Sequence, residues 1–305
     1  MNRLLFILFI SLIFSSAFGQ KFPSMVIVKG GSFEMGNNEG LPNERPAHTV
    51  IISSFKMSKY DVTVGEFAAF IAATGYKTDA EKLGSSIIFY NDTLKNYNDS
   101  FEWYWQPGVT WRDDEMGHPR DKSQWNMPVT YVSWNDAAAY CMWLSQVTGK
   151  PYHLPTEAQW EYAAGNATRH TKYSWGNDLP GKGKPVANVR DEHSDPRFGS
   201  WSGTKFTGYD DGFFFASPVG SYPPNDLGLC DMTGNVWEWC NDIYRESHYP
   251  DGPVTDPQGP QQGWMRVFRG GSWHSKPENC LVTVRRSGAP NNRTANLGFR
   301  VASSL

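Results

Sequence analysis

Gly228-Leu229-Cys230-Asp231-Met232-Thr233-Gly234-Asn235-Val236-Trp237-Glu238-Trp239 is the stretch on which the reading of this chain turns. Its first half is a loop, with an Asp and an Asn among glycines. Its second half alternates, so the backbone groups of Gly234 and Val236 and the Glu238 side chain point the same way if the chain is extended. Oxygen groups converging from one short segment suit a hard cation, which binds carboxylates and backbone carbonyls alike. The competing reading is an ordinary turn, since Asp and Asn beside glycine do this routinely. Trp237 and Trp239 read as core. Cys230 and Cys240 flank the segment, and their spacing leaves open whether they pair.

Upstream, from about Gly176 to Asp231, the sequence has little periodicity. So long a stretch without regular structure is uncommon in a compact domain unless something organises it, and a bound cation is one such agent. Three helices are predicted elsewhere. Thr63 and Glu66 form a capping box ahead of Val64 to Thr74, with Gly75 as the stop. A second helix spans Asn135 to Thr148 before Gly149, with Ala137, Ala138, Cys141 and Leu144 on one face. Thr156 caps a third, Glu157 to Ala164, closed by Gly165. Strands are expected at Met25 to Val28, Ser32 to Met35, His48 to Phe55, Val267 to Arg269 and Leu297 to Val301.

Composition narrows the class. With 28 Lys+Arg against 31 Asp+Glu, the net charge of −3 gives no electrostatic footprint for nucleic acid. The 13 Trp, 14 Tyr and 18 Phe supply a sizeable core, and four cysteines in 305 residues are too few for a disulfide scaffold. Arg3 precedes an apolar run from Leu4 to Phe14, followed by small residues up to Gly19. This reads as a secretory signal over residues 1–19, cleaved after Gly19, ahead of a single domain over 20–305. No cysteine near the cleavage site offers a lipid anchor and no later segment is apolar enough to cross a bilayer, so a secreted or periplasmic protein is expected. The chain has no nucleophile elbow, paired-His zinc motif or phosphate loop.

Eight blocks fall in order along the chain: Met25 to Gly36, Asn43 to His48, Tyr60 to Thr63, Pro128 to Trp134, His153 to Ala163, Gly228 to Trp239, Arg269 to Trp273 and Asn296 to Arg300. Together they resemble the formylglycine-generating enzyme (sulfatase-modifying factor) family. The resemblance implies an α+β, variant C-type-lectin-like fold with low regular secondary structure and long ordered loops. It also implies two structural Ca2+ sites. The first would take the Asn188 side chain, the Val189 carbonyl, Asp211 and the Phe213 carbonyl; the second Asp231, the Gly234 and Val236 carbonyls and Glu238. Such ions would order loops expected to bury little apolar surface of their own.

The family oxidises a substrate cysteine with oxygen, using Cu(I) on two thiolates. Here Ser275 stands where the first thiolate belongs, and Cys280 matches the second. A serine hydroxyl is hard and protonated at neutral pH, so it does not replace a soft anionic ligand. His274 is adjacent, which makes a mixed His274/Cys280 copper site conceivable. Ser272, Asn296 and Arg300 match family positions near the oxygen pocket or its supporting turn; as residues they also read as a turn serine and internal hydrogen-bonding groups. Cys141 matches a position that forms a disulfide in some members, but the partner position is Val301, and on its helix Cys141 reads as a small buried hydrophobe. Three functions follow: an exported oxidoreductase acting on a cysteine-bearing peptide, a non-catalytic lectin-like module binding a peptide, glycan or exported protein, or a different oxidation on the same scaffold.

Overall fold

The computed structural model describes residues 22–89, 103–181, 183–193, 204–247 and 249–305; the expected signal segment lies outside them. The chain begins with strands β1 (Met25–Val28), β2 (Gly31–Met35), β3 (His48–Ile52) and β4 (Phe55–Ser58). Helices α1 (Val64–Thr74) and α2 (Asp79–Leu83) follow, then the ribbon β5 (Ser85–Ile88) and β6 (Tyr104–Pro107). Next come α3 (Trp134–Thr148), β7 (Tyr152–His153) and α4 (Glu157–Ala164). The last strands are β8 (Trp237–Ile243), β9 (Val254–Thr255), β10 (Arg266–Arg269), β11 (Arg286–Gly288), β12 (Leu297–Gly298) and β13 (Ala302–Ser304). The sheets are β1-β4-β13-β7, β11-β10-β8-β12, β2-β3-β9 and the pair β5-β6. This is an α+β architecture, and the described residues between Gly176 and Asp231 contain no helix or strand.

The three expected helices form where their caps place them. The Thr63–Glu66 box and left-handed Gly75 bound α1, and Thr156 and Gly165 bound α4. The second helix starts one residue early, because Ser133 and Asp136 make a capping box. Helix α2 was not anticipated, although Thr78, Glu81 and Gly84 give it a box and a stop. Two strand expectations are corrected. His48 to Phe55 is two strands in different sheets, the chain crossing over at Ser53 and Ser54, whose N–H and hydroxyls are held by Asp256 and Gly30. Of Leu297 to Val301 only Leu297 and Gly298 form a strand, β12, parallel to β8; Phe299 to Val301 belong to no strand, and β13, antiparallel to β4, begins after them.

One apolar cluster gathers Phe67 and Phe70 of α1 with Tyr140 of α3, Trp239 and Phe299; another gathers Val50, Phe55 and Met57 with Trp160 of α4. Through the second run buried ions. Arg285 forks Glu157, its Nε 2.6 Å from Oε1 and its Nη2 2.8 Å from Oε2. Arg269 Nη2 donates to Glu161 Oε2. Glu161 Oε1 accepts from the Gly36 N–H and faces His170 Nε2, both at 2.8 Å. Burial alone would raise the Glu161 carboxyl, but Arg269 and His170 outweigh it and hold the pKa at about 2.

That depression predicts an acid limb of stability. The folded pKa lies below the ordinary value of 4.5, so the folded state binds fewer protons, and the contribution is complete above pH 4.5 and lost as pH falls through 2. Circular dichroism between those limits is expected to show progressive weakening that is absent in Glu161→Gln. Arg269→Ala, which strands a buried carboxylate, is expected to cost about 3–5 kcal/mol at neutral pH, measured by urea unfolding.

Candidate functional site

Strand β10 ends at Arg269, and the chain turns through Gly270 and Gly271, both at positive φ. A Cβ at Gly271 would stand 3.0 Å from Cys280 Sγ, so only glycine lets this turn close over the thiol. Beyond it the Ser272 N–H donates to Ser275 Oγ at 2.9 Å, the Ser275 N–H donates to the Ser272 carbonyl at 2.8 Å, and the two hydroxyls lie 3.3 Å apart. Asn296 Nδ2 donates to Ser272 Oγ at 3.0 Å, and Thr294 Oγ1 holds Asn296 Oδ1 at 2.9 Å. Cys280 Sγ lies 3.7 Å from the Ser275 carbonyl. Ser272, Ser275 and Cys280 of one turn and Asn296 from the segment before β12 thus converge on one buried polar cluster.

Cys280 is fully buried, and burial pushes its thiol well above the usual range. It belongs to a small cluster with Tyr173, Val189, Phe206 and Tyr209. His274 packs elsewhere, its ring 4.3 Å from Phe89, 5.4 Å from Trp273 and 5.7 Å from Trp103. Burial and the nearby Arg190 cation push its pKa down to about 3, so the imidazole is neutral. The two groups of a mixed His274/Cys280 copper site therefore sit in separate packing clusters. With a hydroxyl at Ser275, the cluster offers Cys280 as its one thiol, an incomplete set for Cu(I), which selects soft anionic ligands.

Arg300, expected beside this cluster, sits in another. Its Nε and Nη2 fork Glu238 at 2.6 and 2.8 Å, and Nη2 also donates to the Cys230 carbonyl at 2.9 Å. Glu238 Oε2 further accepts from Trp160 Nε1 at 2.8 Å. Cys230, Cys240 and Cys141 are all buried and unpaired.

The two candidate cation loops abut. The Asn235 N–H donates to the Asn188 carbonyl at 2.7 Å, an approach that a Cβ at Gly234 would block. In the first loop both Asp211 oxygens accept N–H groups, from Val189 and Phe213 at 2.8 Å each. Burial, with Asp191 close by, pushes the Asp211 carboxyl up to about 8. Asn188 Oδ1 is buried without a hydrogen bond, and the Val189 and Phe213 carbonyls accept none among the described residues. This loop also carries apolar ballast, since Val189, Phe206 and Tyr209 are buried, contrary to the expectation of little apolar burial.

In the second loop Asp231 Oδ2 accepts the Gly220 N–H at 2.7 Å while Oδ1 is buried and unpartnered. Burial pushes this carboxyl up to about 6. Sequence reasoning missed Asp61. Both its oxygens are buried without a hydrogen bond, 3.7 Å at nearest from Arg300, and burial with the Glu238 charge pushes its pKa well up. Its signal was a carboxylate in the Tyr60 to Thr63 block, legible only once the chain after β4 is brought beside Arg300, which also holds Glu238. Among the described residues no three His, Cys, Asp or Glu side chains can hold a metal by themselves. The oxygen donors exposed by both loops are mainly amide and carbonyl, the set of a hard cation.

The fold and this paired-loop site define a class of protein, the sulfatase-modifying factors with a C-type-lectin-like core. The sulfatase-modifying factor enzyme 1-like domain matches residues 13–305, and the chain belongs to that family. It is 38% identical over 294 residues to a formylglycine-generating enzyme of Streptomyces coelicolor, covering 91% of this chain and 88% of the relative. It is 34% identical to an inactive C-alpha-formylglycine-generating enzyme 2 of Mus musculus, covering 92% and 86%. Among solved structures it is similar to PvdO from Pseudomonas aeruginosa, with TM-score 0.67, 30% identity and 93% and 95% coverage. No helix among the described residues is long and apolar enough to cross a membrane.

All four thiols are buried, and the Cys280 thiol donates to the Ser275 carbonyl at 3.7 Å. Native protein is expected to react with fewer than one equivalent of a thiol-specific chromogen, rising to four in denaturant. Rapid native labelling of Cys280, located by peptide mass, would contradict the burial described.

Proposed function

We propose that this chain is an exported member of the family that binds an extended peptide segment of a protein partner at the Ser272–Ser275–Asn296 cluster without copper oxidation. The carrying observation is Ser275: its hydroxyl is fixed by the Ser272 N–H at 2.9 Å where a soft thiolate would be required. The side chains gathered there are neutral and are paired with one another, so a bound peptide would exchange these hydrogen bonds for its own. The named inactive relative is consistent with a scaffold retained for binding. A second reading, oxidation of a peptide cysteine or another oxidation with altered ligands, draws support from the identity with the Streptomyces coelicolor enzyme.

Cu(I) titration separates them. Wild type is expected to bind no stoichiometric Cu(I) and to leave a cysteine peptide unchanged in mass, while Ser275→Cys gains one Cu(I) together with Cys280. Stoichiometric copper in wild type, lost in Cys280→Ser, would favour the oxidase.

The same proposal includes two structural Ca2+ sites. Unpartnered Asn188 Oδ1 with Asp211 and the Val189 and Phe213 carbonyls supports the first. Unpartnered Asp231 Oδ1 and Asp61, with the Gly234 and Val236 carbonyls, support the second, with Glu238 shared between the ion and Arg300. Three carboxyls face one guanidinium there, a negative excess that a cation balances. Chelation is expected to lower Tm and Ca2+ to restore it, with Asp61→Asn binding the second ion about tenfold or more weakly. An unchanged Tm after chelation sinks this part.

A further inference from the structure

Glu161 has more partners than its charge requires. Arg285 answers Glu157 and Arg269 answers Glu161, so each of these α4 carboxylates already faces a guanidinium. His170 is nevertheless brought to Glu161 Oε1 at 2.8 Å on a strained backbone: its φ is +44°, and Asn166 and Ala167 just before it are also left-handed, both at +61°. The Asn166 side chain fixes this turn, its Nδ2 donating to Thr171 Oγ1 at 3.0 Å and to the Ser174 carbonyl at 2.9 Å. Left-handed conformations at residues with a Cβ persist only where the surroundings enforce them, and they gather at ligand sites. Glu161 is ionised and accepts, so Nε2 carries the proton of this bond, and the neutral imidazole offers Nδ1 as a lone-pair acceptor. Nδ1 has no hydrogen-bond partner among the described residues, and 20% of the side chain is exposed.

His170 lines a cleft of about 610 Å³, within the size range of small-ligand sites, and Ser272, Ser275 and Asn296 are not part of its walls. Its polar groups are donors held in place. Asn177 Oδ1 accepts the Lys172 N–H at 3.0 Å and Asn37 Oδ1 accepts the Glu39 N–H at 2.9 Å, so the backbone fixes both amides and leaves Nδ2 as the end still to be satisfied. Neither Nδ2 nor the Lys172 ammonium has a partner among the described residues. Lys172 is tied on its other side as well, its carbonyl accepting the Val282 N–H at 2.9 Å. Glu278, the one acid on the walls, is already paired with Lys276 at 2.6 Å. Leu179 and Leu281 add an apolar surface.

Three donors, one of them cationic, with a single lone-pair acceptor define the ligand. The ammonium and the amides call for an anion, the imidazole for a hydroxyl that donates to it, and the leucines for a C–H face. We infer that this cleft binds a sugar-sized hydroxy acid, its carboxylate on Lys172 and Asn177 and its hydroxyls on Asn37 and His170. Glu161 and Arg269 stand behind His170 as positioning residues that hold its tautomer. The site is separate from the Ser272–Ser275–Asn296 cluster, and peptide binding there has no bearing on it.

Calorimetry on the full chain tests this with D-gluconate and D-glucuronate as probes. The controls are acetate, an anion without hydroxyls, and methyl α-D-glucoside, which has hydroxyls without the charge. At least one hydroxy acid is expected to bind with a Kd of about 1 mM or tighter, and both controls about tenfold or more weakly. Asn177→Asp keeps the acceptor for the Lys172 N–H and exchanges the free donor for a negative oxygen, so it is expected to weaken the acid about tenfold or more, as is Lys172→Gln. His170→Asn, which puts a residue tolerant of the left-handed backbone at that position, is expected to weaken the hydroxy acid while sparing acetate. Lys172 and Asn177 are exposed, so their variants report even if the His170 variant fails to fold. No heat with either acid up to about 10 mM overturns the site. Affinity indifferent to both Asn177→Asp and Lys172→Gln puts binding elsewhere and overturns it too. Acetate bound as tightly as the hydroxy acids reduces the cleft to an anion patch and overturns the ligand class.

Discussion

Helix α4 carries the interaction on which the rest of this molecule depends. It brings Glu157, Trp160 and Glu161 into a space almost closed to water, where an unpaired carboxylate is costly. Each is met from a different part of the chain: Glu157 by Arg285, Glu161 by Arg269 and His170, and the Trp160 N–H by Glu238, which is itself forked by Arg300. The strands bearing those partners cannot slip by one residue without exposing a bare charge to the core. Buried ion pairs add little net stability against an apolar core of equal volume, so their effect here is on register.

The polar cluster is a by-product of that register. Arg269 fixes the end of β10, and the chain leaves it through Gly270 and Gly271 into Ser272. The turn is closed by backbone, the Ser275 N–H on the Ser272 carbonyl, and the Ser275 hydroxyl only adds the Ser272 N–H to it. A thiolate ligand can therefore be exchanged for a hydroxyl while the turn, the Asn296 contact and the surrounding strands persist. The same holds for the two candidate cation loops, whose contact at Asn188 and Asn235 is made by backbone. Scaffold and chemistry are separable in this fold, so likeness to formylglycine-generating enzymes coexists with a turn that carries Ser275 and a single cysteine, Cys280.

Much of the fold was legible because its signals are local. The boxes at Thr63 and Thr156 and the glycines after them placed α1 and α4, and the missed α2 carried the same kind of box at Thr78. The strand errors have a different origin. His48 to Phe55 and Leu297 to Val301 read as single strands because each is a continuous run of strand-favouring residues. Their extent is set by neighbours: β2 and β9 pair with one part of the first run and β1 and β13 with the other, while only Leu297 and Gly298 of the second lie beside β8. The candidate site divides in the same way. Ser272, Ser275, Asn296 and Cys280 were named from ordered motifs and do converge, whereas Arg300, named on the same grounds, is held in the Glu238 cluster.

The sequence by itself determined the helix ends, the glycine turns, the absence of a second thiolate in the Ser272–Cys280 turn and the family, since each is a property of residue type and short spacing. Only the tertiary structure decided which buried charges meet, that Asp61 faces Arg300 beside the second loop, that His274 and Cys280 lie in different clusters, and that His170 joins Glu161 to an open cleft. Those facts depend on which strands lie side by side. Adjacency between distant segments is settled by the shared burial of aromatic side chains and by the demand that every buried charge find its partner, and neither condition is written at any single position.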